Sequence, residues 1–403
     1  MAYVPVAFIL AGMTAYTVLA GADFGAGLWT LLALGGSAGA RRIRDEARHA
    51  MGPVWEANHV WLIFVLVVAW TAYPVAYGSI TSTLAAPLLI AAIGIIFRGA
   101  AYALRGVEDG SRSAEYLFAL SSVLTPFALG TAIGAIAIGR VPVGNAAGNP
   151  VTSWLNPASV LIGALAVAFS GYLAAVYLAA DSDADDRALA GAFRRRALAA
   201  GLVSGALALA GLLVMRHSGL DLTHGAALAL VCVSAVAGLS TLLLCWRYRF
   251  ELARVTAALA VAAVVIGWAA GQAPRFLPGL TVTAAAAGRS TLVALVIAVA
   301  CGAVVLIPSL ALLFTLYLRG RLYTPEHPAP EDSVPVGAAA FSAEEAAAAG
   351  GAATVRVWGG AAGIGLVAGA GLLVFADAGW AHLLGVACLV LCAVSVFRLT
   401  ATD

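Results

Sequence analysis

The sequence predicts an all-α, polytopic integral membrane protein, and three observations carry that prediction. Of 403 residues, 62% are hydrophobic and 10% charged, where a soluble domain has roughly a quarter charged residues. Apolar runs of about 20 residues, each long enough to cross a bilayer as a helix, recur from end to end. The basic residues gather between those runs, and all 22 of them are arginine. With a net charge of only +2, the chain carries no basic field for nucleic acid.

Eleven candidate spans follow in order, near Val4–Leu34, Pro53–Ala76, Ser79–Leu104, Tyr116–Gly139, Trp154–Ala180, Phe193–Met215, Thr223–Trp246, Leu252–Gly271, Thr291–Leu318, Val357–Phe375 and Gly379–Val396. The first run, MAYVPVAFIL, lacks a basic region and a small-residue cleavage site, so it reads as a span rather than a cleaved signal. Tyr73-Pro74 and Tyr77-Gly78 predict a tight turn joining the second and third spans into a hairpin. Nine spans make a core over residues 1–319. Residues 320–354, which include TPEHPAPEDSVP and an Ala/Gly-rich stretch, read as a flexible cytoplasmic linker. Residues 355–403 add a two-helix transmembrane hairpin, with Asp377 at its turn and His382 near it.

Alternating the loops sorts the arginines. Arg41, Arg42, Arg44, Arg48, Arg105, Arg112, Arg187, Arg194, Arg195, Arg196, Arg247, Arg249, Arg254, Arg319, Arg321, Arg356 and Arg398 fall on one side, against Arg140, Arg216, Arg275 and Arg289 on the other: seventeen to four. The positive-inside rule makes the first side cytoplasmic, with the N-terminus outside and the C-terminus inside. The cluster Asp181–Arg187 reads as solvated charge and lacks the spacing of a calcium loop. The five cysteines lie in or beside apolar runs. Cys388 and Cys392 share a helix face, but two thiols alone are too few ligands for a metal site.

Charges inside a bilayer cost several kcal/mol unless paired or hydrated, so they are the functional suspects. Asp23 lies deep in the first run, within GADFGAGLW, where Gly21, Gly25 and Gly27 permit close helix approach. Glu56 sits in the first turn of the second run, GPVWEANHVWL. It shares a face with His59, while Trp55 and Asn58 share the next. Arg98 sits two turns before the third run ends, in IFRGAAYALR. All three charges fall at similar depth in the cytoplasmic half. Arg98 is expected to pair with Asp23 or Glu56, and the sequence leaves both choices open.

The stretches GADFGAGLW, GPVWEANHVWL, AYPVAYGSI and IFRGAAYALR, in this order and spacing, resemble subunit II of cytochrome bd-type quinol oxidases. GQAPRFLPGLTV and LLFTLYLRGRL extend the likeness to about residue 322. The resemblance implies a subunit of a quinol oxidase in the bacterial cell membrane, inactive alone, that supports a haem-bearing subunit I. Quinol oxidation and dioxygen reduction to water would be reactions of the whole complex. Haem b and haem d would belong to subunit I, so this chain is expected to bind no haem or metal through its own ligands. Some members hold a structural quinone, and small accessory subunits are further partners.

The resemblance also implies a cytoplasmic proton path through Glu56, usually Asp in the family, and through Asp23. Trp55, Asn58 and His59 would serve its intake and Arg98 would set the field along it. Acids that some members carry map here onto Ala20 and Ala103. Two other readings compete. A proton-coupled transporter also buries Asp, Glu and Arg, though it often shows inverted repeats, and no repeat is visible between the halves of this sequence. A purely structural membrane partner would tolerate Asp23→Asn and Glu56→Gln. His59 as a haem ligand would need a second histidine at matched depth, which the sequence does not supply.

Overall fold

The computed structural model describes residues 1–33, 38–49, 54–104, 112–183, 186–220 and 222–318, with a few isolated positions between 368 and 395. The helices are α1 (Val4–Leu32), α2 (Ala38–His49), α3 (Val54–Ala72), α4 (Pro74–Thr83), α5 (Ala85–Leu104), α6 (Arg112–Ala137), α7 (Pro157–Ser182), α8 (Arg187–His217), α9 (Gly225–Trp246) and α10 (Phe250–Gln272). Strands β1 (Arg275–Leu277) and β2 (Leu280–Thr281), the single turn α11 (Val282–Ala285) and α12 (Arg289–Leu318) complete the described order. Among the described residues, seven helices are long and apolar enough to cross a membrane, eight if the bent pair α4–α5 counts as one span. The chain is therefore an all-α, multi-pass membrane protein. The expected C-terminal hairpin and the linker before it lie outside the described residues, apart from those isolated positions.

Two expected boundaries are corrected. The turn predicted at Tyr77-Gly78 is helical, and the chain instead breaks on either side of it. Pro74 has no amide hydrogen to continue α3, and Tyr73 before it leaves the helical region at φ −137°, ψ 61°. Pro87 likewise cannot donate to the Thr83 carbonyl, and α4 and α5 meet at an angle of 81° just before it. Gly78 lies inside α4, packed against Asn145: a Cβ there would come within 2.7 Å of Asn145 Oδ1. The second correction is α8, which begins at Arg187 rather than Phe193, so Arg194, Arg195 and Arg196 are helical. At 31 residues it is about 46 Å long, more than a hydrocarbon core of about 30 Å requires.

Helices α7 to α10 pack in sequence, and α1 lies against α3, α6, α7 and α10, joining that group to α3, α5 and α6. A buried seam of small residues, including Ala26, Ala174, Ala175, Ala179, Ala190 and Ala253, lets the helices approach closely. At the opposite end the antiparallel β-hairpin pairs Arg275 with Thr281 and Leu277 with Leu280 across a bulge. It lays Phe276 against Tyr73, ring centroids 4.9 Å apart.

Two of the described arginines bind helix ends. Arg44 donates to the Ala33 carbonyl at the end of α1 at 2.6 Å. Arg194 donates to the Cys245 and Trp246 carbonyls at the end of α9 at 3.0 and 3.3 Å. Cations at these C-termini meet both the orphan carbonyls and the negative end of the helix dipole. Asp186, from the cluster expected to be solvated, caps α8 through the amides of Ala188 and Leu189 and pairs with Arg42, while Asp181 pairs with Arg254. The start of α7 is fixed by Asn156, whose Oδ1 accepts from the Ser159 amide at 3.0 Å, with Pro157 in the first turn. Asn156→Ala should destabilise the protein by about 1 kcal/mol, seen as a lowered midpoint of thermal unfolding in detergent.

Candidate functional site

Near the arginine-rich end, where α1 and α5 finish and α3 and α6 begin, four helices enclose an ion pair. Arg98 on α5 and Asp23 on α1 are 2% and 6% exposed, so neither charge is neutralised by water. Arg98 Nη2 donates to Asp23 Oδ1 at 2.6 Å and Nε to Oδ2 at 3.1 Å. Nη2 also donates to the Asp23 backbone carbonyl at 2.7 Å. This bidentate geometry is the one in which a guanidinium binds a carboxylate best. The remaining nitrogen, Nη1, donates to Ser122 Oγ on α6, and that hydroxyl in turn donates to the Phe118 carbonyl at 2.5 Å.

Aromatic rings supply the rest of the cation's environment. The Arg98 guanidinium carbon stands 4.2 Å from the Phe118 ring centroid and 5.1 Å from that of Phe24, close enough for cation–π attraction. Phe24 meets the imidazole of His59 edge-on at 6.3 Å, and Tyr16 meets the same imidazole at 6.0 Å. Asn58, one residue earlier on α3, is 2% exposed. His59 and Arg98 are thus both neighbours of Phe24, on α3 and α5.

Glycines make the approach possible. A Cβ on Gly27 would overlap the Ser122 side chain and come within 3.1 Å of Arg98 Nη1. A Cβ on Gly25 would intrude on the Ser170 backbone carbonyl of α7. On α6, Pro126 removes the amide that would bond the Ser122 carbonyl, which loosens the helix where Ser122 meets Arg98.

Arg98 pairs with Asp23, one of its two expected partners. His59 shares the Phe24 ring with Arg98, and Asn58 is buried one residue before it on α3. The backbone of Trp55 and Glu56 lies in the first turn of α3, but their side chains lie outside the described residues, as does that of Ala103. Ala20 is fully buried between Tyr16 and Phe24. Ser122 and Phe118 are site residues that the sequence did not single out. Their signal was the hydroxyl row Ser121, Ser122 and Thr125 in an apolar run just before Pro126.

Among the described residues, no group of three or more His, Cys, Asp or Glu side chains could hold a metal ion. His217 and His224 are exposed at the opposite end from His59.

A sequence model of the family described as cytochrome bd terminal oxidase subunit II matches residues 1–317. The chain belongs to that family. It is 31% identical over 115 residues to the cytochrome bd ubiquinol oxidase subunit 2 of Bacillus subtilis (strain 168). That match spans 28% of this chain and 33% of the relative, so the chain covers a third of the length of that curated protein. Its fold matches a chain in the structure of bd oxidase from Geobacillus thermodenitrificans, with a TM-score of 0.61 and 23% identity, over 79% of this chain and 98% of the other. That likeness concerns the fold. The matched residues of the subunit II family include all of Asp23, Glu56, Asn58, His59 and Arg98.

Proposed function

We propose that this chain is the haem-free subunit of a bd-type quinol:oxygen oxidoreductase, and that its α1–α3–α5–α6 cluster carries protons from the cytoplasm toward a haem-bearing subunit I. The observation that supports this reading is the buried Arg98–Asp23 pair, with Phe24 between Arg98 and His59, in a member of the bd oxidase subunit II family. Haems b and d in subunit I would supply the redox chemistry. Here the chain's own residues hold charge and guide protons. Glu56, in the first turn of α3, is the exchanging acid at the cytoplasmic mouth, with Asn58 and His59 as its polar neighbours and Trp55 as an interfacial anchor.

Asp23 has both carboxylate oxygens engaged by Arg98, the geometry in which a guanidinium grips a carboxylate best. It accepts a proton only when the guanidinium releases an oxygen, and the longer Nε contact, at 3.1 Å, is the one to open. Arg98 therefore sets the potential along the path and limits how long Asp23 stays protonated. The arginine-rich end is placed in the cytoplasm, with the N-terminus outside. Residues 320–354 serve as a linker to an accessory C-terminal hairpin that faces lipid or a partner.

The test is quinol-driven oxygen uptake by the purified complex. Glu56→Gln should slow turnover by roughly 100-fold, the lower range for a lost proton-transfer group, while the haem spectrum stays intact. Near-wild-type uptake would remove Glu56 from the path. A complex without haem that moves protons in liposomes when given a solute would instead be a transporter.

A further inference from the structure

The turn between α9 and α10, Trp246-Arg247-Tyr248-Arg249, is rigid, basic and unused by the proposed proton path. Arg194 braces it from α8. Besides its bonds to the Cys245 and Trp246 carbonyls, its Nη1 donates to the Tyr248 hydroxyl at 3.2 Å. Its guanidinium carbon lies 4.4 Å from the Tyr248 ring and 5.2 Å from the Trp246 ring. Tyr248 itself is held at φ 56°, a left-handed conformation that bulky residues rarely adopt. Arg247 and Arg249, on either side of it, are both exposed.

The neighbouring acids are already committed. Arg254 engages Asp181 and, at 3.7 Å, Glu251. Among the described residues, neither Arg247 nor Arg249 has an acidic partner. Asp183 and Glu251 line the recess behind Tyr248 together with Arg249, so an anion is better accommodated on the Arg247 side of the turn.

That side continues into an apolar stripe. Val236, Leu239, Leu243 and Trp246 are 64%, 67%, 51% and 65% exposed, and their spacing of three, four and three puts them on one face of α9. Arg247 follows Leu243 by four residues and stands over the same face. From the bundle middle outward, the surface thus runs aliphatic, then indole, then guanidinium. An acyl chain, a glycerol backbone and a phosphate present the complementary order.

We infer that this face of α9, closed at its end by Arg247 and Arg249, is a binding site for an anionic phospholipid, with the phosphate on the arginines and an acyl chain along Val236, Leu239 and Leu243. A polybasic edge beside a membrane-facing helix attracts acidic headgroups at about 1 kcal/mol per charge. The bracing by Arg194 fixes the backbone turn from which the two arginines project.

The test uses the purified complex in nanodiscs of phosphatidylcholine alone or with added phosphatidylglycerol or cardiolipin, with retained lipid measured by mass spectrometry after mild detergent extraction. Wild type should keep the anionic lipid and show a higher unfolding midpoint in its presence, whereas phosphatidylcholine should do neither. The double variant Arg247→Ala/Arg249→Ala should bind the anionic lipid roughly 30-fold more weakly, as the loss of two surface charges implies, and lose the midpoint shift. A control, Arg140→Ala/Arg289→Ala at the other end of the molecule, should behave as wild type. Equal retention by the double variant, equal loss in the control, or equal stabilisation by phosphatidylcholine would each overturn the inference. Oxygen uptake is not the readout, so the result stands apart from the proton-path proposal.

Discussion

Asp23→Leu should destabilise the protein by about 3–5 kcal/mol, the usual cost of removing one member of a buried ion pair. The reason lies in what remains. Arg98 is 2% exposed, and a guanidinium cannot shed its charge in a protein. Among the partners described, it would keep Ser122, the backbone carbonyl of residue 23 and two aromatic rings, and would lose the bidentate carboxylate of Asp23. Arg98→Met should cost less, because the stranded Asp23 can become neutral by taking up a proton. The pair Asp23→Leu/Arg98→Met should recover most of the loss, since an apolar replacement of a buried ion pair is often neutral or stabilising. Thermal unfolding of the detergent-solubilised complex orders the three variants, and oxygen uptake separates structure from function. A double variant that is stable but slow would tie the charges to proton movement. One that is stable and fast would leave them a purely structural role. If Arg98→Met proved the more damaging single change, the argument about which charge can disappear would be contradicted.

Gly25→Ala is the second large effect expected. The new methyl would occupy the space of the Ser170 carbonyl on α7 and come within 2.8 Å of Ala174 Cβ. A backbone carbonyl cannot rotate aside as a side-chain tip can, so α1 and α7 must separate along their seam. Overpacking of this kind costs roughly 1–3 kcal/mol. The shift also moves Asp23, one half-turn away, relative to Arg98, so turnover should fall together with the unfolding midpoint. Gly39→Ala is the matched control. Gly39 lies in α2, where nothing stands within 4 Å of the methyl carbon that alanine would add, and alanine favours helix over glycine by about 1 kcal/mol. That substitution should be neutral or slightly stabilising in the same assay.

Much of this site could be read from the sequence, because depth is a one-dimensional property. Asp23 and Arg98 each lie a few turns from the same end of their apolar runs, and the arginine clusters marked which end that was. Reading the contact between Asp23 and Arg98 was different. It depends on the rotation of α1, α3 and α5 about their axes, and α1 is apolar nearly all round, so periodicity gave no phase. Ser122 was hidden for a related reason: a hydroxyl in an apolar run can bond its own helix carbonyls, as Ser170 does with Ala166 at 2.9 Å, and so needs no partner. The 81° break falls beside Pro87 rather than at Tyr77-Gly78, and Pro87 carried the signal. A proline in the first turn of one helix stops the helix before it, whereas a glycine inside a well-packed helix need not break it.

The right-angled step from α4 into α5 has a mechanical consequence. With 20 residues, α5 alone reaches about 30 Å, the thickness of a bilayer's hydrocarbon layer. The ten residues of α4 leave it at an angle of 81°. Ser79 and Ser82 accept from the amides of Gly144 and Ala146 at 2.9 and 2.8 Å, which ties α4 to the loop after α6. The corner is therefore pinned from outside the two helices it joins, and straightening it into one long rod would mean breaking both bonds.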